Sequence, residues 1–148
     1  MLATQKIQAY RQNDVLQASP TELVVMLYDR AILNLKVACD RLREGHLKKK
    51  GKLVCQAVDI IAELQAVLDK DRGGEIAVKL DQLYTYMLQR ITVGNYENDP
   101  APLAEVIRLL EELQQGWKGL AQQLAGGAQM PAGYAKPAAP ARPLNSRA

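Results

Sequence analysis

Residues 99–124 read DPAPLAEVIRLLEELQQGWKGLAQQL, and large apolar side chains recur along this stretch every three or four positions. This spacing places them on one face of an α-helix, and we expect that face to pack against a hydrophobic core. Asp99 is a suitable N-cap, and Pro100 suits the first helical turn, where its missing N–H is not needed. The predicted core face consists of Leu103, Val106, Leu110, Leu113, Trp117, Leu120 and Leu124.

Three further helices are predicted before this one. The first opens on a capping box at residues 19–22, with proline at the first helical position, and continues to residue 42, after which Gly45 would end it. The second spans about residues 47–70 and the third about residues 75–95, because apolar positions repeat by three and four in both. A pair of glycines separates these two helices and is expected to break the chain's helical path there.

Four long helices joined by short connections predict an all-α fold, an antiparallel four-helix bundle. We expect the bundle to occupy residues 19–125, and residues 1–18 to form a separate N-terminal capping segment with a short helix. Residues 126–148 are rich in alanine, proline and glycine. They hold too few large apolar side chains to offset the entropy cost of ordering, so a disordered C-terminal tail is predicted.

The charge distribution argues against a nucleic-acid partner. The formal net charge is +3, but residues 126–148 carry three basic residues and no acid. Subtracting these three from the 19 basic residues leaves 16, against 16 acidic residues. Nucleic-acid-binding proteins instead concentrate positive charge on a folded face. The densest basic run is interpreted as a solvated helix start or loop, and it consists of Lys48, Lys49, Lys50 and Lys52.

No apolar run approaches the roughly 20 residues that a membrane-spanning helix needs, and the N-terminal residues lack the regions of a signal peptide. We therefore predict a cytoplasmic protein without membrane insertion. Cys39 and Cys55 have no motif spacing, and two isolated cysteines of this kind usually behave as small apolar residues. A redox pair is not expected.

The sequence does not carry the residues of common catalytic or metal sites. Helical-bundle enzymes often hold two metals with carboxylates and Glu-x-x-His pairs, whereas the single histidine, His46, has no glutamate three positions before it. The glycine pair at residues 73–74 lacks the lysine and hydroxyl side chain of a phosphate-binding loop. We predict that the chain is not an enzyme and uses no cofactor or metal.

The first two helices carry more apolar positions than a single core face requires. Residues 23–28 are six consecutive apolar residues, which cover every direction around a helix. Second lines with seven-residue spacing are Val25, Ile32 and Cys39 on the first helix and Leu53, Ile60 and Val67 on the second. Two interpretations have equal weight at this point: wide core faces, or grooves that bind apolar helices of a partner.

Two stretches resemble the signatures of the flagellar secretion chaperone FliS family. They are ASPTELVVMLYDRAI at residues 18–32 and GGEIAVKLDQLYTYML at residues 73–88. The spacing between them and the final helix also agree with the family, so the resemblance covers about residues 5–122. Some positions depart from the family pattern and affect details of the partner surface, not the fold: Arg30, Lys79 and Thr85.

The resemblance implies a chaperone that receives the disordered C-terminal segment of flagellin in apolar grooves. Such a chaperone prevents premature polymerisation of flagellin and presents it to the flagellar type III export gate. The resemblance also implies that the N-terminal segment occupies a groove when no client is bound, through Ile7 and Tyr10. The residues that we expect to contact flagellin are Leu23, Val25, Met26, Leu27, Leu80, Leu83, Tyr84 and Met87.

The alternative is a structural or oligomerising helical bundle without flagellin specificity. In that case the second apolar lines would be buried between identical subunits, in a homodimer of the client-free chain. A one-to-one complex with a flagellin C-terminal peptide would favour the chaperone. A stable homodimer that ignores flagellin would favour the alternative.

Overall fold

The computed structural model of the chain describes residues 20–125, and these residues form four α-helices. α1 spans Pro20–Arg43, α2 Leu47–Ala66, α3 Lys70–Glu97 and α4 Pro100–Ala125. The predicted all-α fold is confirmed, and the described residues contain no β-strand. The predicted N-terminal segment at residues 1–18, the cap at Ser19 and the predicted tail at residues 126–148 lie outside the described residues.

Neighbouring helices run antiparallel around a shared core. α1 packs against α2 and α4, and α3 packs against the same two helices, so α1 and α3 lie diagonally opposite. Hydrogen bonds from α2 to α3 show the relative direction. Lys50, in the first turn of α2, bonds to Asn95 in the last turn of α3, and Gln65, in the last turn of α2, bonds to Asp81. Residue numbers rise on one helix as they fall on the other, which confirms the predicted antiparallel bundle.

The corner between α3 and α4 is closely packed. Asn98 has a left-handed backbone with φ of 52°, and Asp99 Oδ1 accepts a hydrogen bond from the Ala101 N–H at 3.0 Å. The predicted Asp99 cap is therefore confirmed. A Cβ added to Gly94 would lie 2.9 Å from the Asp99 carbonyl oxygen and 3.1 Å from the Leu103 side chain. Only glycine fits at position 94 without a shift of the neighbouring backbone.

The predicted end of the second helix is wrong. α2 ends at Ala66 and not near residue 70, because Asp69 caps the next helix and its Oδ1 accepts a hydrogen bond from the Arg72 N–H at 3.1 Å. Gly74 then interrupts α3 with a backbone conformation, φ 55° and ψ −130°, that lies outside the helical region. The predicted break at the glycine pair is present, but a short helical turn precedes it.

The predicted core faces are mostly buried, but positions at the start of α3 and in the second half of α4 are not fully covered. The core contains most of the expected side chains of α1, α2 and α4, and on α3 it contains Tyr84, Met87 and Ile91. Ile76 lies in the apolar repeat that predicts α3, but its side chain is 61% exposed, and Leu80 and Leu83 are only partly buried. The first half of α3 therefore contributes less to the core than its apolar pattern suggests.

The second apolar lines on α1 and α2 are divided between the core and its edge. Three of their six positions are buried in the core, as wide core faces require: Ile32, Cys39 and Ile60. The other three pack against the edge of the core and are partly buried: Val25, Leu53 and Val67. These lines therefore leave only edge positions on α1 and α2 to a partner.

Candidate functional site

Polar contacts join the second half of α3 to the first half of α4. Arg90 Nε donates to Glu105 Oε1 at 2.8 Å, and the Tyr86 hydroxyl donates to Glu105 Oε2. The hydrogen bonds from Tyr86 and Arg90 lower the pKa of Glu105, so its carboxylate stays charged and links the two helices. Residues 86 and 90 of α3 therefore lie level with residue 105 of α4.

Apolar side chains of α3 face α4 where the helices continue beyond this contact. Ile76 and Leu83 precede Arg90 by fourteen and seven residues, which places all three on one side of α3. Because Arg90 contacts α4, that side faces α4. Leu80 lies next to this line, one helical turn after Ile76.

Apolar side chains of α4 lie opposite them. Leu113 follows Glu105 by two steps of four residues, and Leu120 follows Leu113 by seven, so both lie toward the side of α4 that faces α3. Continuing the antiparallel register from the Arg90–Glu105 contact places Leu80 level with about residue 115 and Ile76 level with about residue 119. The two sets of side chains therefore face each other.

From this spacing and register we infer that these residues line an apolar groove between the first half of α3 and the second half of α4. Ile76 is largely exposed, and the other members are partly buried. Side chains at three-, four- and seven-residue spacing on both walls suit an amphipathic helix lying in the groove. We call this surface the α3–α4 groove and define it as Ile76, Leu80, Leu83, Leu113 and Leu120.

A buried hydrogen-bond network lies in the core beside the groove. The hydroxyl groups of Tyr28 on α1 and Tyr84 on α3 are 2.5 Å apart, across the diagonal of the bundle. Trp117, between Leu113 and Leu120 on α4, is 7% exposed and hydrogen-bonds to Tyr28. Because an indole N–H can only donate, Tyr28 accepts from Trp117, and its hydroxyl also hydrogen-bonds to that of Tyr84. Three helices are thereby linked through one tyrosine.

Burial, followed by the neighbouring Tyr84, raises the pKa of Tyr28 well above its ordinary value, although the hydrogen bond from Trp117 acts in the opposite direction. Below pH of about 10 the tyrosine is neutral in both the folded and the unfolded chain. Above that pH the unfolded chain releases the proton while the folded protein keeps it. The free energy of unfolding therefore falls as the pH rises from about 10 toward the pKa of Tyr28 in the folded protein.

Phenylalanine has no proton to release, so the Tyr28→Phe variant should not show the fall in the free energy of unfolding that Tyr28 causes above pH of about 10. At neutral pH the variant should be less stable by about 1–3 kcal/mol, because the indole N–H of Trp117 loses its acceptor. Urea unfolding of both proteins between about pH 8 and about pH 11 measures the difference. Tyr96→Phe is the control, since its side chain is 86% exposed. A constant difference between wild type and Tyr28→Phe over this range would contradict the prediction.

The predicted flagellin-contact residues occupy two different environments. Half of them are at most 2% exposed and belong to the packed interior: Leu23, Leu27, Tyr84 and Met87. The other half are partly buried at the surface: Val25 and Met26 on α1, and Leu80 and Leu83 on α3. α1 and α3 are diagonally opposite, so these two pairs do not line one groove. The predicted groove cap, Ile7 and Tyr10, lies outside the described residues.

Three members of the α3–α4 groove are absent from the predicted contact residues. Leu113 and Leu120 belong to the predicted core face of the last helix, and Ile76 lies in the apolar repeat of the third helix. Gly74, two positions before Ile76, could have indicated that Ile76 is exposed, because residues beside a helix break have fewer packing neighbours. The two leucines carry no such signal. Their spacing is the same as that of the buried leucines on α4.

Within the described part of the chain, no helix is long and apolar enough to cross a membrane. Over the same residues, no three histidine, cysteine, aspartate or glutamate side chains gather as the ligands of a metal ion would.

Comparison with known proteins places the chain in a family. A family model described as flagellar protein FliS matches residues 3–124. The chain belongs to the FliS family. It is 38% identical to the flagellar secretion chaperone FliS of Salmonella typhimurium, over 80% of this chain and 91% of that protein. It is 36% identical to the chaperone FliSB of Pseudomonas aeruginosa, with 81% and 98% covered, and to the FliS of Vibrio cholerae, with 75% and 85% covered.

Membership of the FliS family determines the general class of function. The relatives carry the name flagellar secretion chaperone, and FliS is a family of chaperones and not of enzymes. The predicted resemblance to this family is confirmed, as is the prediction that the chain is not an enzyme. The α3–α4 groove is thus a surface on a flagellar export chaperone, whose work is to bind a client protein.

Proposed function

We propose that this FliS-family chain binds the C-terminal segment of flagellin in the α3–α4 groove. In the cytoplasm, the bound chaperone would prevent premature polymerisation and deliver flagellin to the flagellar type III export apparatus, with presentation at the export gate. The observation that carries the proposal is a partly exposed apolar groove between two helices of a flagellar secretion chaperone. Ile76 is a large apolar side chain with 61% exposure, and a partner that covers it would gain binding free energy from that burial.

The spacing of apolar side chains along α3 suits a bound helix. Ile76 and Leu83 are seven residues apart, which corresponds to about 10 Å along α3 or two helical turns of a client lying alongside. Full burial of one such side chain contributes about 1.5–3 kcal/mol, so several together can offset the entropy lost when a disordered client segment folds on binding. Val25 and Met26 on α1 are proposed as a second, separate contact for the client.

Isothermal titration calorimetry with a synthetic peptide of the flagellin C-terminus tests the proposal. We expect a one-to-one complex with a negative heat-capacity change, which marks burial of apolar surface. Light scattering of the client-free protein tests the alternative. A stable homodimer that does not bind the peptide at low salt would favour an oligomerising bundle without flagellin specificity.

Deletion of residues 1–18 is expected to raise the affinity for the flagellin peptide. The proposed reason is that Ile7 and Tyr10 occupy a client groove when flagellin is absent, so that the client must displace them. If each buries an apolar side chain, their removal should strengthen binding by about tenfold or more per residue. The matched control is the double substitution of Ile7 and Tyr10 with serine in the full chain. Unchanged or weaker binding by both variants would contradict self-capping.

A further inference from the structure

α2 begins with a group of lysines that the client groove does not use. Three of them, Lys48, Lys49 and Lys52, are exposed, and we call these three the lysine patch. The fourth, Lys50, is 5% exposed. Lys48 and Lys52 are four residues apart and Lys49 and Lys52 are three apart, so the three form a continuous charged surface on one side of the helix.

The buried lysine has a structural role that does not extend to the other three. Lys50 Nζ donates to the carbonyl oxygen of Asn95 at 3.0 Å and to its side-chain Oδ1 at 2.6 Å. This contact places a positive charge at the carbonyl end of α3, where the helix dipole is negative. Packing of α2 against α3 therefore explains Lys50 and leaves the lysine patch unexplained.

The lysine patch is unfavourable for the helix that carries it. The N-terminus of a helix is the positive end of its dipole, and α2 has no acidic residue in its first turn. Like charges three and four residues apart also repel one another. Within residues 20–125, none of the three lysines forms an ion pair, whereas Arg41, Arg43 and His46 in the same region each lie against a carboxylate. Local rules that a sequence breaks without compensation in the folded chain often mark a functional surface.

An exposed aromatic side chain lies at the same end of the bundle as the lysine patch. Tyr96 directly follows Asn95, which Lys50 holds against the start of α2, and Tyr96 is 86% exposed. Tyrosine is enriched at protein interfaces because its ring buries a large apolar area while its hydroxyl still forms hydrogen bonds. The start of α2 and the end of α3 therefore present positive charge and an exposed aromatic ring at the same end of the bundle.

This surface lies at the opposite end of the bundle from the α3–α4 groove. Sixteen residues of α3 separate Leu80 from Tyr96, which corresponds to about 24 Å along the helix. Residues 20–125 hold 14 basic and 15 acidic residues, so positive charge is concentrated here on an otherwise balanced surface. Three lysines make a smaller footprint than the extended positive face that a nucleic acid requires.

We propose that the lysine patch and Tyr96 form a second binding surface, whose partner is an acidic protein segment that also carries an apolar side chain. Carboxylates of the partner would pair with Lys48, Lys49 and Lys52, and the apolar side chain would cover the ring of Tyr96. The chain's own residues 126–148 do not suit this role, because they are basic and contain no acid. The surface can be occupied while a client lies in the groove, since the two are separate.

Fluorescence anisotropy with the full-length protein tests the proposal. The probe is a fluorescein-labelled peptide in which glutamates flank a central tryptophan and leucine, and its control has glutamine in place of glutamate. We expect binding of the acidic peptide alone, weakening as salt concentration rises. The triple variant K48E/K49E/K52E should lose about tenfold or more of this affinity, and Tyr96→Ser should lose a smaller part. The triple variant should also unfold at a higher temperature, because it places acids at the start of α2.

A charge-matched variant separates this surface from net charge. R30E/R108E/K118E changes the net charge by the same amount at exposed positions spread over α1 and α4, and it should keep the affinity for the acidic peptide. K48Q/K49Q/K52Q gives the neutral comparison and should also lose affinity. Equal losses in R30E/R108E/K118E and K48E/K49E/K52E would overturn the proposal. So would tighter binding to single-stranded DNA or phosphatidylserine vesicles than to the acidic peptide, or self-association that the patch substitutions abolish.

Discussion

Replacing both Ile76 and Leu83 with glutamate is expected to weaken binding of the flagellin C-terminal peptide by about a hundredfold or more. Each substitution removes an apolar side chain from the α3–α4 groove and places a charge where the client would have to bury it. Ile76 is 61% exposed and Leu83 only partly buried, so the bundle should remain folded. Titration calorimetry measures the affinity, and circular dichroism measures the helical content and the unfolding temperature.

The matched control replaces Leu33 and Val93 with glutamate. Leu33 on α1 is 50% exposed and Val93 on α3 is 37% exposed, and neither belongs to the groove. This variant carries the same added charge and also loses two exposed apolar side chains, but it should bind the peptide as the wild type does. Similar affinities of the groove variant and the wild type would place the client elsewhere. Equal losses in both variants would indicate a general effect of charge.

Replacing Trp117 with alanine is expected to lower the free energy of unfolding by about 3–5 kcal/mol. The indole is 7% exposed in the core, where it packs with residues of the other helices and donates a hydrogen bond to Tyr28. The substitution leaves a large cavity and removes the donor that orders the Tyr28–Tyr84 pair. Urea unfolding followed by circular dichroism at 222 nm, roughly the helical minimum, gives the free energy by linear extrapolation.

Trp117→Phe separates the volume of the side chain from its hydrogen bond. Phenylalanine keeps much of the apolar volume but lacks the N–H group, so this variant should lose about 1–2 kcal/mol. The Tyr28–Tyr84 hydrogen bond would remain. A loss below about 1 kcal/mol for Trp117→Ala would show that the core collapses around the missing ring, contrary to the prediction.

Local patterning predicts the helices well because helix formation depends on near neighbours in the chain. The predicted core repeat and the cap at Asp99 agree with α4 at Pro100–Ala125, since cap and periodicity are properties of that segment alone. The end of α2 is the exception. There the capping side chain of Asp69 competes with continuation of the helix, and the apolar pattern on which the prediction depends contains no information about that competition.

The proposed binding surface is predicted less completely than the helices. Sequence reasoning indicates surplus apolar side chains and, through the family resemblance, a client for them. It includes Leu80 and Leu83 among the contact residues, but it also includes Tyr84 and Met87, which are fully buried. These four residues lie within two turns of one helix. Which of them reach the surface depends on the direction from which α4 approaches α3.

The amino-acid sequence is sufficient for the four helices, the break at Gly74 and the family, because caps, glycines, periodicity and signature residues are local features. It does not distinguish Leu110, which has no exposed area, from Leu113, which borders the α3–α4 groove, since both satisfy the same apolar repeat. That difference arises from the packing of the folded bundle. Contacts such as Arg90–Glu105 hold the second half of α3 against α4. The first half, which follows Gly74, leaves apolar side chains partly uncovered.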